Sequence, residues 1–302
     1  MKKKVLVTGG HGLVGSAINA DVKPKRGMYN LVNPSHVDEM YDIHRPTHVI
    51  HCAAQVGGIG GNMNHKGEYF YNNIMINTNV IEGARFYGVK KLVSFLSTCV
   101  FPDDAEYPLT ESQIHKGEPH TSNNAYAYAK RMADVQIRAY REQYGLNYTS
   151  VIPTNIYGPN DNFSLVHGHV MPMLIHKMYN SMKTGEDFVV WGTGKPLREF
   201  IYSKDVAKLT EWVLDEYDED EPIIFSTSHE ISIRDLVDLL VQEFNFKGKV
   251  IFDDTKPDGQ FRKPSDNSKI KKYLPDFEFT PIEVGIKETV NWFINNYENA
   301  RK

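Results

Sequence analysis

Cysteine is scarce in this chain: two among 302 residues, Cys52 and Cys99, in dissimilar surroundings. That excludes a disulfide scaffold and points to a reducing, cytoplasmic setting. Long apolar runs are missing too, and no stretch approaches the roughly 20 residues of a membrane-spanning helix. The basic start Lys2-Lys3-Lys4 leads into only Val5-Leu6-Val7 before Thr8 and a glycine turn, which is too short for a secretory leader. Net charge is small, at −4, so neither nucleic acid nor an anionic membrane is favoured as a partner. There is no internal repeat and no low-complexity linker. One local absence matters more than these: from Val22 to Val37 the chain holds no carboxylate at all.

The residues present read as alternating strands and helices. Val5-Leu6-Val7, 48–52, 91–96 and 147–153 have the continuous apolar character of buried parallel strands. Helices are predicted over 13–19, 72–87 (with Gly88 as cap) and 126–144 (ending at Gly145). Beyond Pro159, helices are read at 171–179, 205–214 and 282–297, and strands at 187–191 and 250–252. Ser232 and Asp235 stand as N-cap and third residue of a further helix, and the acidic run 215–221 reads as a solvated loop. The alternation predicts a doubly wound parallel α/β sheet of the Rossmann kind with a smaller C-terminal α/β lobe. The expected division is 1–160 for dinucleotide binding and 161–302 for substrate, with about 195–230 returning to the first core.

Gly9, Gly12 and Gly15 form a G-x-x-G-x-x-G directly after the first strand. Glycines there give a tight turn and a close approach of backbone to a pyrophosphate, and a helix N-terminus would add its dipole. NAD-binding chains place an acid about 20 residues further on, for the ribose 2′-hydroxyl. Here that stretch holds Lys23, Lys25 and Arg26, which suit a 2′-phosphate and therefore NADPH. Tyr126 and Lys130 are four apart, hence on one helix face, where an ammonium would favour the phenolate. Ser97 closes a strand where it could bond the same carbonyl oxygen. Cys99 and His169, taken alone, read as a packed thiol and a structural histidine.

These residues, with several further motifs in order, resemble the extended short-chain dehydrogenase/reductase superfamily, and within it most of all the GDP-L-fucose synthase family of 3,5-epimerase/4-reductases. The likeness runs through Ala53-Ala54-Gln55-Val56-Gly57-Gly58-Ile59, Ser97-Thr98-Cys99-Val100-Phe101-Pro102, Tyr126-Ala127-Tyr128-Ala129-Lys130 and Pro153-Thr154-Asn155-Ile156-Tyr157-Gly158-Pro159. It continues in Asp161-Asn162-Phe163, His169-Val170-Met171-Pro172, Trp191-Gly192-Thr193-Gly194, Arg198-Glu199-Phe200 and Lys256-Pro257-Asp258-Gly259.

The resemblance implies a reductive set of Ser97, Tyr126 and Lys130, with Cys99 and His169 as the acid and base of epimerisation. It implies that Gly9, Gly10, His11, Gly12, Leu13, Val14, Gly15, Arg26, Ala53, Ala54, Leu96, Ser97, Lys130, Pro153, Thr154, Asn155, Ile156 and His169 line NADPH/NADP. Asn155, Lys177, Trp191, Arg198 and Asp258 would hold a GDP-sugar, and no metal is implied. Thr98-Cys99 stand where the related dehydratases carry acidic residues, which disfavours dehydration. A homodimer pairing the helices near 72–87 and 126–144 is further implied, with Ile137 and Tyr140 either at that interface or in the core. A UDP- or dTDP-4-keto-6-deoxy-sugar epimerase/reductase, a reductase without epimerisation, and a non-catalytic NADP sensor stay open as alternatives.

Overall fold

In a computed structural model, which describes residues 2–57 and 64–302, strands and helices alternate along the chain. Gly58 and Ile59 of the alanine-rich motif lie outside the described residues. The strands are β1 (Val5–Thr8), β2 (His48–His51), β3 (Lys91–Phe95), β4 (Asn147–Pro153), β5 (Asn155–Tyr157), β6 (Phe188–Trp191), β7 (Leu197–Tyr202), β8 (Ile223–Phe225), β9 (Glu230–Ser232) and β10 (Val250–Asp253). The helices are α1 (Pro34–His44), α2 (Lys66–Phe86), α3 (Asn124–Tyr144), α4 (Val170–Thr184), α5 (Ser203–Glu216), α6 (Ile233–Phe244), α7 (Ser268–Tyr273) and α8 (Ile282–Asn295).

β1, β2, β3, β4 and β8 form one all-parallel sheet in that order. Because strand side chains alternate, one face carries Leu6, Val49, Leu92, Ile152 and Ile224 into a core shared with Val37 and Tyr41 of α1, Ile81 of α2 and Ile137 of α3. The opposite face carries Val7, Ile50, Val93, Val151 and Phe225 against Val206, Leu209 and Val213 of α5. The strands are therefore buried on both faces, which is why they read as unbroken apolar runs. Segment 203–225 thus returns to this sheet, α5 covering its back and β8 extending its edge. A third core, with Met171, Ile175, Phe188, Leu236, Leu240 and Phe293, holds the C-terminal lobe together.

Two local signals act as their chemistry requires. Gly145, at φ 65°, caps α3, and the Ser232 side chain accepts the Asp235 N–H at the start of α6. Where the glycine turn should open a helix, residues 13–19 form none. Turns closed by Gly12 N–H to Gly9 O (2.9 Å), Ser16 N–H to Gly12 O (3.0 Å) and Ala17 N–H to Val14 O (2.9 Å) take its place. The chain has to come back at once. Val22 bridges the outer edge of β1, accepting from Val7 N–H at 2.9 Å and donating to Val5 O at 3.0 Å, too soon for a full crossover helix. The next element, α1, capped by Asn33 with Pro34 behind it, sends the chain to the other side of β1. That reversal is a topological switch point, and a crevice opens at the carboxyl ends of β1 and β2.

The acidic run 215–221 is not a free loop. Its first two residues end α5, Lys3 pairs with Asp215, Lys91 with Asp218, and Lys269 with Glu221.

Candidate active site

A cleft of roughly 960 Å³ occupies the switch point. Residues 9–15 form its floor, 24–27 one rim, and Ala53, Ala54, Leu96, Ser97, Tyr126, Lys130, Pro153, Thr154, Asn155, Ile156 and His169 its far walls. Whether a dinucleotide fits the floor can be tested on the glycines. Gly9 has φ +68° and its absent Cβ would lie 2.9 Å from Ala53 N, while a Cβ on Gly15 would lie 2.4 Å from Gly9 O. The turn is thus closed onto its own backbone and onto Ala53, leaving bare backbone facing the cleft, as a pyrophosphate cradle requires. The floor offers turn amides rather than a helix N-terminus, since no helix follows.

The floor is braced from below. Thr8 Oγ1 and His51 Nδ1 are 2.7 Å apart, His51 Nε2 lies 3.0 Å from Asn77 Oδ1, and Asn77 Nδ2 donates to Ala129 O at 3.2 Å. Thr8, His51 and Asn77 are each buried, and this chain of bonds ties the glycine turn to α3 beside Lys130. Burial, helped by the Lys130 charge, pushes the His51 pKa down to about 3. The imidazole is therefore neutral and serves as a rivet. Nothing in its sequence context marked it.

The residues expected to react converge from three elements. Ser97 caps the single 3₁₀ turn Thr98–Val100 after β3, its Oγ accepting the Cys99 N–H at 3.4 Å. Tyr126 and Lys130 share one face of α3, with the Lys130 ammonium 5.9 Å from the Tyr126 ring centre. Lys130 is buried and donates to Phe95 O at 2.8 Å, so its four-carbon stem is fixed. Burial lowers its pKa to about 8. The sequence argument expected that ammonium to pull the Tyr126 phenol downward. Instead burial, followed by the neighbouring Cys99, holds the phenol well above its usual range, so Tyr126 keeps its proton. Burial likewise raises the Cys99 thiol, while partial desolvation against the cleft walls and then the Arg301 charge lower the imidazole of His169, which is itself exposed; both shifts favour the neutral form. Cys99 belongs to this cluster through Ser97, Tyr126 and Lys130, although it does not line the cleft itself. His169 is the N-cap of α4.

Asn155 spans both predicted roles, lining the cleft while its Nδ2 donates to Glu199 O at 2.7 Å. The remaining substrate candidates form a separate cluster around the ends of β6 and β7. Trp191, 67% exposed, has the Lys177 ammonium 5.7 Å and the Lys256 ammonium 5.9 Å from its ring centre. Asp258 accepts from Thr193 N–H (2.9 Å) and Thr193 Oγ1 (2.7 Å). Arg198 donates through one Nη to Leu197 O and Gln260 O, both at 2.7 Å. Lys263, unmarked in the sequence, lies within electrostatic reach of both Cys99 and Arg198. The walls of the cleft also hold Asp161, Asn296, Asn299 and Arg301, to which sequence reasoning gave no role.

Fold and cleft together define a Rossmann-type oxidoreductase in which Ser97, Tyr126 and Lys130 come together along one cleft. The family model for the NAD dependent epimerase/dehydratase family matches residues 5–226. A GDP-L-fucose synthase of Dictyostelium discoideum is 51% identical over 314 residues, covering 100% of this chain and 98% of its own. A probable GDP-L-fucose synthase of Drosophila melanogaster is 44% identical, over 99% and 100%. Among solved structures, a GDP-L-fucose synthetase from Naegleria fowleri bound to NADP is 45% identical with a TM-score of 0.95, covering 100% of this chain and 95% of its own. This chain belongs to the NAD dependent epimerase/dehydratase family, on the GDP-L-fucose synthase branch. No helix among the described residues is long and apolar enough to cross a membrane.

Proposed function

We propose that this chain converts GDP-4-keto-6-deoxy-D-mannose to GDP-L-fucose by 3,5-epimerisation and NADPH-dependent 4-reduction. The observation that carries the reading is the gathering of Ser97, Tyr126, Lys130 and His169 along one cleft above the glycine floor, with Cys99 behind Ser97, in a chain similar along its whole length to GDP-L-fucose synthases. Residues 9–15, Arg26, Ala53, Ala54, Leu96, Pro153, Thr154, Asn155 and Ile156 hold NADPH, which when bound supplies the hydride for C4. Lys177, Trp191, Arg198 and Asp258 hold the GDP end of the substrate, and Asn155 its sugar.

A C4 ketone acidifies the protons on C3 and C5. Ser97 and Tyr126 donate hydrogen bonds to the ketone oxygen, so charge that develops there on deprotonation is met by fixed donors. One such donor contributes about 2.7–4 kcal/mol to a barrier of this kind. Cys99 and His169, both neutral in the resting cleft, divide the proton transfers: one takes the proton from carbon and the other returns one to the opposite face, inverting the centre. A thiol with a neutral imidazole holds the same number of protons as a thiolate with an imidazolium. Either order therefore balances. In the reductive step Tyr126 gives its proton to the C4 oxygen, and the Lys130 ammonium stabilises the phenolate left behind.

Loss of NADPH absorbance on adding GDP-4-keto-6-deoxy-D-mannose, with GDP-L-fucose as product, is the decisive test. The UDP analogue and Cys99→Ser run beside it. Turnover of the UDP sugar alone would overturn the substrate; in Cys99→Ser, reduction without inversion at C3 and C5 is expected.

For assembly we propose a homodimer through α2 and α3. Exposed Phe70, Tyr71 and Phe86 on the first and Met132, Val135 and Tyr144 on the second support that reading. Ile137, at 1% exposure, belongs to the core, and the Tyr140 hydroxyl is spent on Glu82 at 2.6 Å.

A further inference from the structure

The last residues of the chain are pinned against the cofactor cleft. After α8, Asn299 N–H bonds Asn296 O at 2.9 Å and Ala300 N–H bonds the same oxygen at 2.7 Å. Ala300 is 7% exposed within the C-terminal core. Arg301 O then accepts the Phe163 N–H at 2.8 Å, which fixes its Cα, and its side chain reaches the mouth of the cleft. Arg26, on the loop that follows the glycine turn, lines the same cleft. The two guanidinium groups are close enough to repel one another.

Asp161 stands near Arg301 as a weak counter-ion. Asp161 also lines the cleft and is 3% exposed; its Oδ1 accepts the Asn162 N–H at 2.6 Å, and its Oδ2 has no hydrogen-bond partner. Burial pushes its carboxyl up to about 7, so near neutrality it carries only part of a charge. Two arginines lining one cleft, with a partial counter-charge from Asp161, make an anion site suited to a phosphate. The basic loop 22–33 is short and lacks the second full strand on which such chains usually mount their ribose-reading residue. One rim is left without a partner, and the end of the chain takes that place.

We propose that Arg301 and Arg26 together grip a phosphate of NADPH, making the C-terminal arm part of the cofactor site. This rests on the NADPH reading above. Either the 2′-phosphate or the diphosphate has the required chemistry, and the probes separate them.

The experiment is equilibrium binding of NADPH, NADH, 2′,5′-ADP and 5′-ADP to the full chain, to Arg301→Met, to Arg301→Lys and to Arg26→Met. Methionine keeps the stem and the backbone carbonyl that Phe163 needs, and an unchanged melting curve checks the fold. The expected result is a 10- to 100-fold weaker NADPH complex for Arg301→Met, partly restored by Arg301→Lys, as for the loss of a charge-assisted contact. Adding Arg26→Met to Arg301→Met should cost less than the product of the two single losses. Weakening of NADPH and 2′,5′-ADP with NADH and 5′-ADP unchanged assigns the 2′-phosphate; equal weakening of NADPH, NADH and 5′-ADP, with 2′,5′-ADP less affected, assigns the diphosphate. Wild-type affinity for NADPH in Arg301→Met overturns the pairing and leaves the NADPH reading intact. Failure of the unaltered chain to bind NADPH overturns both.

Discussion

The two walls of the site are built on opposite principles. The proposed cofactor wall is backbone and buried side chain: a glycine turn so tight that a Cβ on Gly15 would lie 2.4 Å from Gly9 O, a threonine–histidine–asparagine brace, and a lysine held at both ends of its stem. The proposed substrate rim is an exposed tryptophan with two lysines poised over it on flexible stems. Chemistry at C4 tolerates little misplacement, because an electrostatic donor helps only where charge develops. Holding a large nucleotide demands area and charge, which mobile side chains supply. Changes to the first wall should therefore act on turnover or folding, and changes to the second on affinity.

The sharpest way to break that contrast is Tyr126→Phe. Removing the proton donor should lower kcat by at least about 10²–10³-fold with KM nearly unchanged; a raised KM with intact kcat would mean that Tyr126 only binds. The reverse pattern is expected at the rim. Trp191→Ala should raise KM for the GDP-sugar about 10- to 30-fold while kcat holds, since it removes an interaction made equally in ground and transition states. Steady-state kinetics on both variants reads the comparison directly.

A smaller effect sharpens it on the stability side. His51 has a folded pKa near 3, against about 6.5 in an unfolded chain. Below pH 6.5 the unfolded state takes up a proton that the folded state refuses, so this contribution is full above that pH and is lost as pH falls toward 3. The slope is about 1.4 kcal/mol per pH unit at most. Asp161 and Glu199, both pushed up to about 7, act in the opposite sense, losing stability as pH rises through 7. The measurement is therefore a difference: denaturant unfolding at pH 7 and 5.5 for the wild type and for His51→Asn, with the variant expected to lose the less on acidification.

Legibility along the chain followed the range of the interaction involved. α3 and its Gly145 stop, the β4 run and the Ser232 cap were readable because periodicity and capping act over a few residues. The missing helix at 13–19 was not, because the demand comes from Val22 having to pair with β1. Tyr126 shows the same limit within the site. Its spacing to Lys130 was plain, but the sign of its proton affinity depended on how deeply the fold buries it. His51, Lys263 and Arg301 carried no signal at all, since each matters only through a neighbour far away in sequence.

By itself, the sequence determined the alternation of strand and helix, the glycine turn, the absence of an acid after it, and which side chains could carry a reduction. These follow from local stereochemistry and from residue types with few substitutes. The tertiary structure alone decided which of those residues meet, which of their protons stay in place, and that Asn299 and Arg301 come to line the same cleft as the glycine turn. Burial and electrostatics act through space, and a space is defined only once the sheet has closed.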